Sequence, residues 1–379
     1  MARSLVRWGS AGLALGAVAL GVGSPAGCAA GGGGGDGDGT GAGTGAQAGA
    51  AGGGGSAGAG GAEEGGAGGG GGPSLPPGCT AFGGTVLAVY HMFFGDTHPD
   101  GTPNESAWKQ YGFDLDGKSS GAGSTDLCQP YGGAAKADVY PDATGGIDNN
   151  FGKTVMPLFA SVVPNLTETA NGMFTSGEFT LLLALEGLGA QTDVDPLPTR
   201  LYGGATMASE PKFDGSDCWP VMPELLADPE DIDAPKIYFE KATLKGDVWE
   251  SNGTATLVLP MSVMGTALEL VIYRARLSTK LNPSHSGSAL GQLGGVLDRE
   301  ELAAEVLRVA GTINPAQCTD PAILALLESL RRSADMVKDG PQDPGKTCDA
   351  ISIGLGFMTK AVNLGEIGDP APVVTNPCE

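Results

Sequence analysis

Residues 31 to 72 hold 25 glycines in 42 positions, with alanine in most of the rest. No run of apolar side chains is available there to offset the entropy of ordering a backbone. The segment therefore predicts a disordered tether and confines any folded core to the residues beyond it. A glycine-rich chain of about 44 residues spans roughly 35–40 Å on average. That is enough to hold a domain clear of a surface. Pro73, Pro76 and Pro77 stiffen the entry to the folded part.

The stretch before the tether reads as an address. Arg3 and Arg7 give a basic start, and Ala11 to Val22 form an apolar run. The run is short of the roughly 20 residues that span a bilayer, so residues 1–27 predict a signal peptide rather than an anchor. Its end, Pro25-Ala26-Gly27-Cys28, resembles the lipobox of bacterial lipoproteins in Ala26, Gly27 and Cys28 and departs from it at Pro25. The resemblance implies a lipid on Cys28. Because Ala29 rather than an aspartate follows, it also implies sorting to the outer membrane. Cleavage after Ala26 would instead give a secreted chain. On this reading residues 28–78 are the lipidated cysteine and tether, and residues 79–379 a single extracytoplasmic domain.

That remainder is acidic. Beyond residue 72 there are 19 Lys+Arg against 39 Asp+Glu. Such a charge repels phosphate backbones and argues against nucleic acid as a partner. Six cysteines besides Cys28 lie in the folded part: Cys79, Cys128, Cys218, Cys318, Cys348 and Cys378. An even number in an exported chain predicts disulfides throughout. Position suggests Cys79–Cys378 as a clasp across the domain, Cys318–Cys348 as a staple, and Cys128–Cys218 as the remainder. The spacings rule out a CxxC redox or zinc motif.

The hydropathy pattern predicts a mainly β (α+β) fold, an antiparallel β-sandwich with several appended helices. Thr85 to Phe94, Phe179 to Leu185, Leu201 to Met207, Ile237 to Lys245, Thr254 to Leu259, Ala267 to Leu281 and Ile351 to Ala361 read as strands. Residues 95–146 read as a long irregular region pinned by Trp108, Tyr111, Phe113 and Tyr131. Ile147 to Val163 has helical spacing, with Asp148 as its cap and a kink at Pro157. Residues 165–174 add a short helix. Asp298 with Glu301 opens a helix that Gly311 should end. Asp320-Pro321 opens another, reaching about Lys338. The run from Leu268 through Cys348-Asp349-Ala350-Ile351-Ser352 and ISIGLGFMTKAVNLG resembles uncharacterised surface lipoproteins of high-GC Gram-negative bacteria. That resemblance implies export and surface display. It transfers no functional residue.

Chemistry is sparse. HExxH is absent from the sequence, and no catalytic or phosphate-binding motif is expected in the folded part. His91, Asp96, His98 and Asp100 bunch at a strand end and offer a transition-metal ligand set, or an ordinary solvated turn. Asp114-Leu115-Asp116-Gly117, Asp126 and Asp148 resemble the acidic loops that wrap Ca2+ in extracellular proteins, without the twelfth-position glutamate of an EF-hand. Trp108, Trp219 and Trp249 are either a sugar-stacking platform or core. These features favour a non-enzymatic cell-surface lipoprotein that binds a glycan or protein ligand. The alternatives are a secreted calcium-dependent polysaccharide hydrolase and a purely structural envelope protein.

Overall fold

The computed structural model describes residues 75–163, 165–371 and 375–379. The leader, Cys28 and the glycine run lie outside the described residues. Strand β1 (Gly84–Phe93) opens the domain. An irregular stretch comes next, holding the short helix α1 (Lys136–Val139). A π-helical turn, Phe151–Val155, leads into α2 (Met156–Val162), and α3 (Leu166–Ser176) comes after it. Then come β2 (Thr180–Glu186), β3 (Thr199–Gly204), β4 (Cys218–Val221) and β5 (Ile237–Phe239). Next are β6 (Thr243–Lys245), β7 (Val248–Glu250), β8 (Ala255–Val263), β9 (Thr266–Leu281) and β10 (Gly287–Asp298). Helices α4 (Arg299–Ile313) and α5 (Pro321–Arg332) precede the closing strand β11 (Ala350–Ile367).

The fold is mainly β, as expected. These eleven strands belong to one sheet, ordered β1-β2-β3-β4-β11-β10-β9-β7-β6, with β5 on β3 and β8 on β9. β1 also pairs with β11, which closes β1, β2, β3, β4 and β11 into a ring. The pairs are antiparallel except β4 with β11. Alternation then sorts the side chains. Val86, Ala88, Leu182, Ala184, Val362 and Leu364 fill the ring around Tyr202 and Trp219. Leu87, Val89, Leu181, Leu183 and Leu185 face the larger core, where they meet the inner face of β8 and β9. A bulge between Val89 and His91 inserts one residue into β1 and shifts the phase, so Met92 and Phe94 rejoin the larger core.

Four expectations change. Ile237 to Lys245 is two strands broken by a turn rather than one. β10 is a strand without a strand signal, because its glycines Gly291, Gly294 and Gly295 hide the alternation. α5 ends at Arg332, short of Lys338. α4 runs through Gly311 to Ile313. Gly311 lies against a disulfide instead of capping the helix: a Cβ there would come within 2.4 Å of the Cys378 sulfur and 2.7 Å of that of Cys318.

The six cysteines do pair among themselves, but every expected partner is corrected. The bonds are Cys79–Cys218, Cys128–Cys348 and Cys318–Cys378, not Cys79–Cys378, Cys318–Cys348 and Cys128–Cys218. Long-range topology decides this, not spacing. Cys79 and Cys218 flank the far end of β11, bridged to Gly365 and paired with Asn363. Gln129 bridges to Thr347 at the entry to β11, which sets Cys128 beside Cys348.

Candidate functional site

The two faces of β11 differ because large and small residues alternate along it. In Ile351-Ser352-Ile353-Gly354-Leu355-Gly356-Phe357 the large residues point into the core. The small ones leave a shallow floor on the other side. A Cβ on Gly354 would lie 2.3 Å from the Tyr111 carbonyl oxygen, and one on Gly356 2.6 Å from the Tyr111 ring. Glycine is therefore required where the irregular segment lies flat on the strand. Tyr111 in turn stacks on Phe93, 5.6 Å between centroids.

Asp148, Asn149 and Asn150 stand over this floor, 3%, 2% and 2% exposed. The Asn149 amide donates to the carbonyls of Trp108 (3.0 Å), Tyr111 (3.2 Å) and Gly354 (2.8 Å). Its carbonyl accepts from the backbone N–H groups of Gly152 (3.0 Å) and Gly354 (2.9 Å). The Asn150 backbone N–H donates to Ser352 Oγ at 2.8 Å, and its amide to the Ser333 carbonyl at 2.5 Å. Ser352 donates to Asp335 twice, from N at 2.7 Å and from Oγ at 2.5 Å. Asp148 does not cap a helix. It accepts from the Leu115 N–H at 2.7 Å and shares a hydrogen bond with Asp142.

Carboxylates accumulate here. Asp114, Asp116 and Asp148 bring one oxygen each within 4.8 Å of one another, and among the described residues no other His, Cys, Asp or Glu group converges so. Burial pushes the Asp148 carboxyl up to about 9, helped by the charges of Asp335, Asp116 and Asp142. Burial likewise lifts Asp335 to about 7 and Asp142 to about 6. Asp116 is raised for the same reason. A cation near the cluster is Lys153, whose pKa burial lowers; its ammonium donates to the Pro141 carbonyl at 3.1 Å. A cavity of about 310 Å³, lined by Asp116, Arg274, Met336 and Gln342, adjoins the cluster. Three hard oxygen donors with further acids behind them suit Ca2+ or Mg2+ rather than zinc.

The other candidate ligands lie elsewhere. Asp126 is exposed and paired with Lys118. His91 rests against the Phe93 ring at 4.6 Å. Asp96 accepts from Thr167 Oγ1 at 2.5 Å, His98 is bonded to Asn104 and Gln110, and Asp100 accepts from Thr102 N and Oγ1. Asp96, His98 and Asp100 bond within their own turn or to α3, with Asp96 Oδ1 buried and without a partner, and the four do not gather. Asp335 and Ser352 belong to the cluster and are not identifiable from the sequence. An aspartate just beyond a helix end carries no local signal that it will be buried.

Contrary to the expectation that the folded part holds no catalytic or phosphate-binding motif, three strings in its irregular segments have the spelling of one. Gly112 to Ser119 (GFDLDGKS) and Gly340 to Thr347 (GPQDPGKT) spell a P-loop, and Gly117 to Gly121 (GKSSG) spells a nucleophile elbow. Each of those motifs works by joining a strand to the N-terminus of a helix. No helix opens from any of the three strings. The Lys118 ammonium is taken by Asp126, and acids surround the first string. None of the three therefore has the strand-to-helix setting on which its motif depends.

Trp219 and Trp249 are fully buried and Trp108 is 7% exposed, so all three are core and none forms a sugar platform. His285, the third histidine, is also buried. Its ring bonds the Gly189 carbonyl at 2.8 Å and Asp247 at 3.2 Å, which occupies both nitrogens.

A second region is open. A cleft of about 710 Å³ lies between β5 and β8, with Phe179, Leu181 and Leu201 in its lining. Glu224, Lys236, Tyr238 and Glu269 bring polar groups to it. Tyr238 is 44% exposed. Such a volume and apolar lining fall in the range of ligand sites. No helix among the described residues is long and apolar enough to cross a membrane. Comparison with protein-family models, with curated proteins and with solved structures returns no match.

Proposed function

We propose that the chain is a non-enzymatic surface lipoprotein. A lipid on Cys28 anchors it in the outer membrane, the glycine-rich run is a flexible tether, and the β-rich domain binds an extracellular ligand. The apolar cleft between β5 and β8 carries the binding part of this reading. Between the two ligand classes it favours protein over glycan, because the tryptophans that could stack on sugar rings are core. The anchoring part is supported by the cysteines: six pair with one another, which leaves Cys28 as the thiol available to a lipid. In a host that processes lipoproteins, Cys28→Ser should abolish labelling by radioactive palmitate and release the chain from the membrane. Membrane retention of that variant would overturn the anchor. Incubation of the full chain with polysaccharides should leave them intact; release of reducing ends would move the assignment to the hydrolase.

A second reading concerns the acidic cluster. The convergence of Asp114, Asp116 and Asp148 favours a calcium ion that braces the domain rather than one that does chemistry. Calcium should raise the melting temperature of the purified chain and EDTA should lower it. No shift with either would dispose of the ion.

A further inference from the structure

Among the described residues β8 is paired along one edge only, with β9. Its other edge forms a wall of the cleft, and Thr254, Ala255, Thr256, Leu257 and Val258 line it in unbroken succession. Side chains on a strand alternate between faces, so consecutive lining residues mean that the backbone edge itself faces the cavity. The register shows which groups it presents. Pro260 stands opposite Glu269, and the Glu269 N–H donates away from β8, to Glu305 Oε1 at 2.8 Å. Pro260 and Glu269 are therefore a non-hydrogen-bonded pair, whose backbone groups point outward from the two-stranded ribbon. Val258 shares that phase by register; Thr256, left without a register partner by the irregularity between Ala255 and Leu257, shares it by alternation along β8. Their N–H and C=O groups point into the cleft and bond to nothing else among the described residues. Pro260 removes the next N–H and ends the free edge there.

The charge at the cleft says what could pair with it. Lys236 is engaged, its ammonium donating to the Glu224 carbonyl at 2.6 Å. Glu224 has one carboxylate oxygen buried without a partner. Glu269 stands on β9 beside Pro260; its charge acts on Arg308, whose ion pair is with Glu305. Beyond residue 72 the chain carries 39 acids against 19 Lys+Arg. A second copy of this chain would bring like charge to an acidic cleft.

We propose that the free edge of β8 receives an extended peptide segment of a cationic partner protein as an added strand. The segment's backbone pairs with Thr256 and Val258, its apolar side chains enter the cleft over Leu181 and Leu201, and a lysine or arginine meets Glu224 and Glu269. This deepens the reading of the domain as a binding module and rests on it.

The test uses the full chain and a set of fluorescein-labelled hexapeptides in which valine, leucine or phenylalanine alternates with lysine or threonine. Fluorescence anisotropy should show saturable binding by members of the set. N-methylation of alternate backbone nitrogens in a bound peptide, which keeps its side chains, should weaken binding at least tenfold. Val258→Pro, which deletes one N–H from the edge as Pro260 already does, should do the same, and Glu269→Lys should weaken the lysine-bearing peptides most. Equal binding of the N-methylated peptide would overturn strand addition while leaving the cleft as a binding site. Absence of binding across the set would overturn the proposal. So would a chain dimer, seen as a concentration-dependent elution volume, that Val258→Pro dissolves, because it would assign the edge to a second copy.

Discussion

At the acidic cluster, the buried polar groups are met with the exception of Asn150 Oδ1, which has no partner among the described residues. Asn149 makes five hydrogen bonds, Asp335 takes two from Ser352, and Asp148 is held by Leu115 and Asp142. At the cleft, backbone groups of Thr256 and Val258 lie beside apolar side chains and have no partner among the described residues. Both regions border the same sheet, one over β11 and the other along β8. A satisfied buried network fixes a single arrangement of the chain segments that contribute to it. An unpaired strand edge is a template for another chain. On the proposed reading, the difference separates what holds this domain together from what is left for a ligand. It also says where substitutions should be silent for stability and where they should not.

The largest effect should come from Asn149→Ala. It leaves the carbonyls of Trp108, Tyr111 and Gly354 and the N–H groups of Gly152 and Gly354 without their side-chain partner in a buried site. Unmet buried groups cost roughly 1–3 kcal/mol each, and partial relaxation makes the total about 3–5 kcal/mol. For a domain of this size that lowers the melting temperature by roughly 10 °C. Urea unfolding of the variant should show a lower midpoint at an unchanged slope. A loss below about 1 kcal/mol would mean that the segment is not pinned through this side chain, and the contrast between the two regions would fail at its strongest point.

How far the sequence discloses these regions depends on the reach of the signal. β1, β2, β8, β9 and β11 are legible because each carries its apolar alternation or its apolar run within its own residues. So are the Asp298 and Asp320 caps, whose side chains accept from N–H groups two or three residues on. β10 and the floor over β11 are not, because glycine there answers to residues distant in the chain: Tyr111 over Gly354 and Gly356, Phe113 over Gly294, and the Phe357 ring against Gly291. The same limit defeats the disulfide pairings, which depend on β11 running between β1 on one edge and β10 and β4 on the other. Asp114, Asp116 and Asp148 can be suspected from acidic loop composition. Asp335 cannot, since only the return of β11 brings Ser352 to it. The free edge of β8 has a single local sign, Pro260, and its meaning depends on knowing the register against β9.

An intermediate effect should appear in the pH dependence of the cluster. Asp148, Asp335 and Asp142 have pKa values raised in the folded state, to about 9, 7 and 6. The folded domain thus retains protons that the unfolded chain has already lost. Without a divalent cation, stability is full below about pH 4 as far as these groups are concerned. It is then lost as pH rises through the folded values toward about 9. Each group contributes at most about 1.4 kcal/mol per pH unit while it titrates. Calcium should act in the opposite sense, because it competes with the proton held on Asp148: its effect should be smaller at about pH 5 than at about pH 8. Asp148→Asn keeps an acceptor for the Leu115 N–H and removes the charge. It should flatten the pH profile and abolish the calcium response together. Thermal melts from about pH 5 to about pH 9, with and without calcium, read both. A wild-type profile that rises across this range would contradict the burial of the cluster.

The smallest effect on stability should lie in the cleft, and it sharpens the contrast most. Tyr238 is 44% exposed on β5, opposite Arg200 of β3, and its hydroxyl donates only to Glu186 Oε2 at a long 3.3 Å. Tyr238→Ala removes little buried area and should change stability by no more than about 0.5 kcal/mol. Yet the ring borders the cavity opposite β8. The same substitution should therefore weaken any ligand seated there by about tenfold, as truncating an aromatic at an interface does. If the proposed binding holds, a substitution at the cluster is felt first by the fold and one here first by the partner. A Tyr238→Ala variant that melts several degrees lower would place the cleft within the structural core. The domain would then have no region set aside for recognition on this side of the sheet.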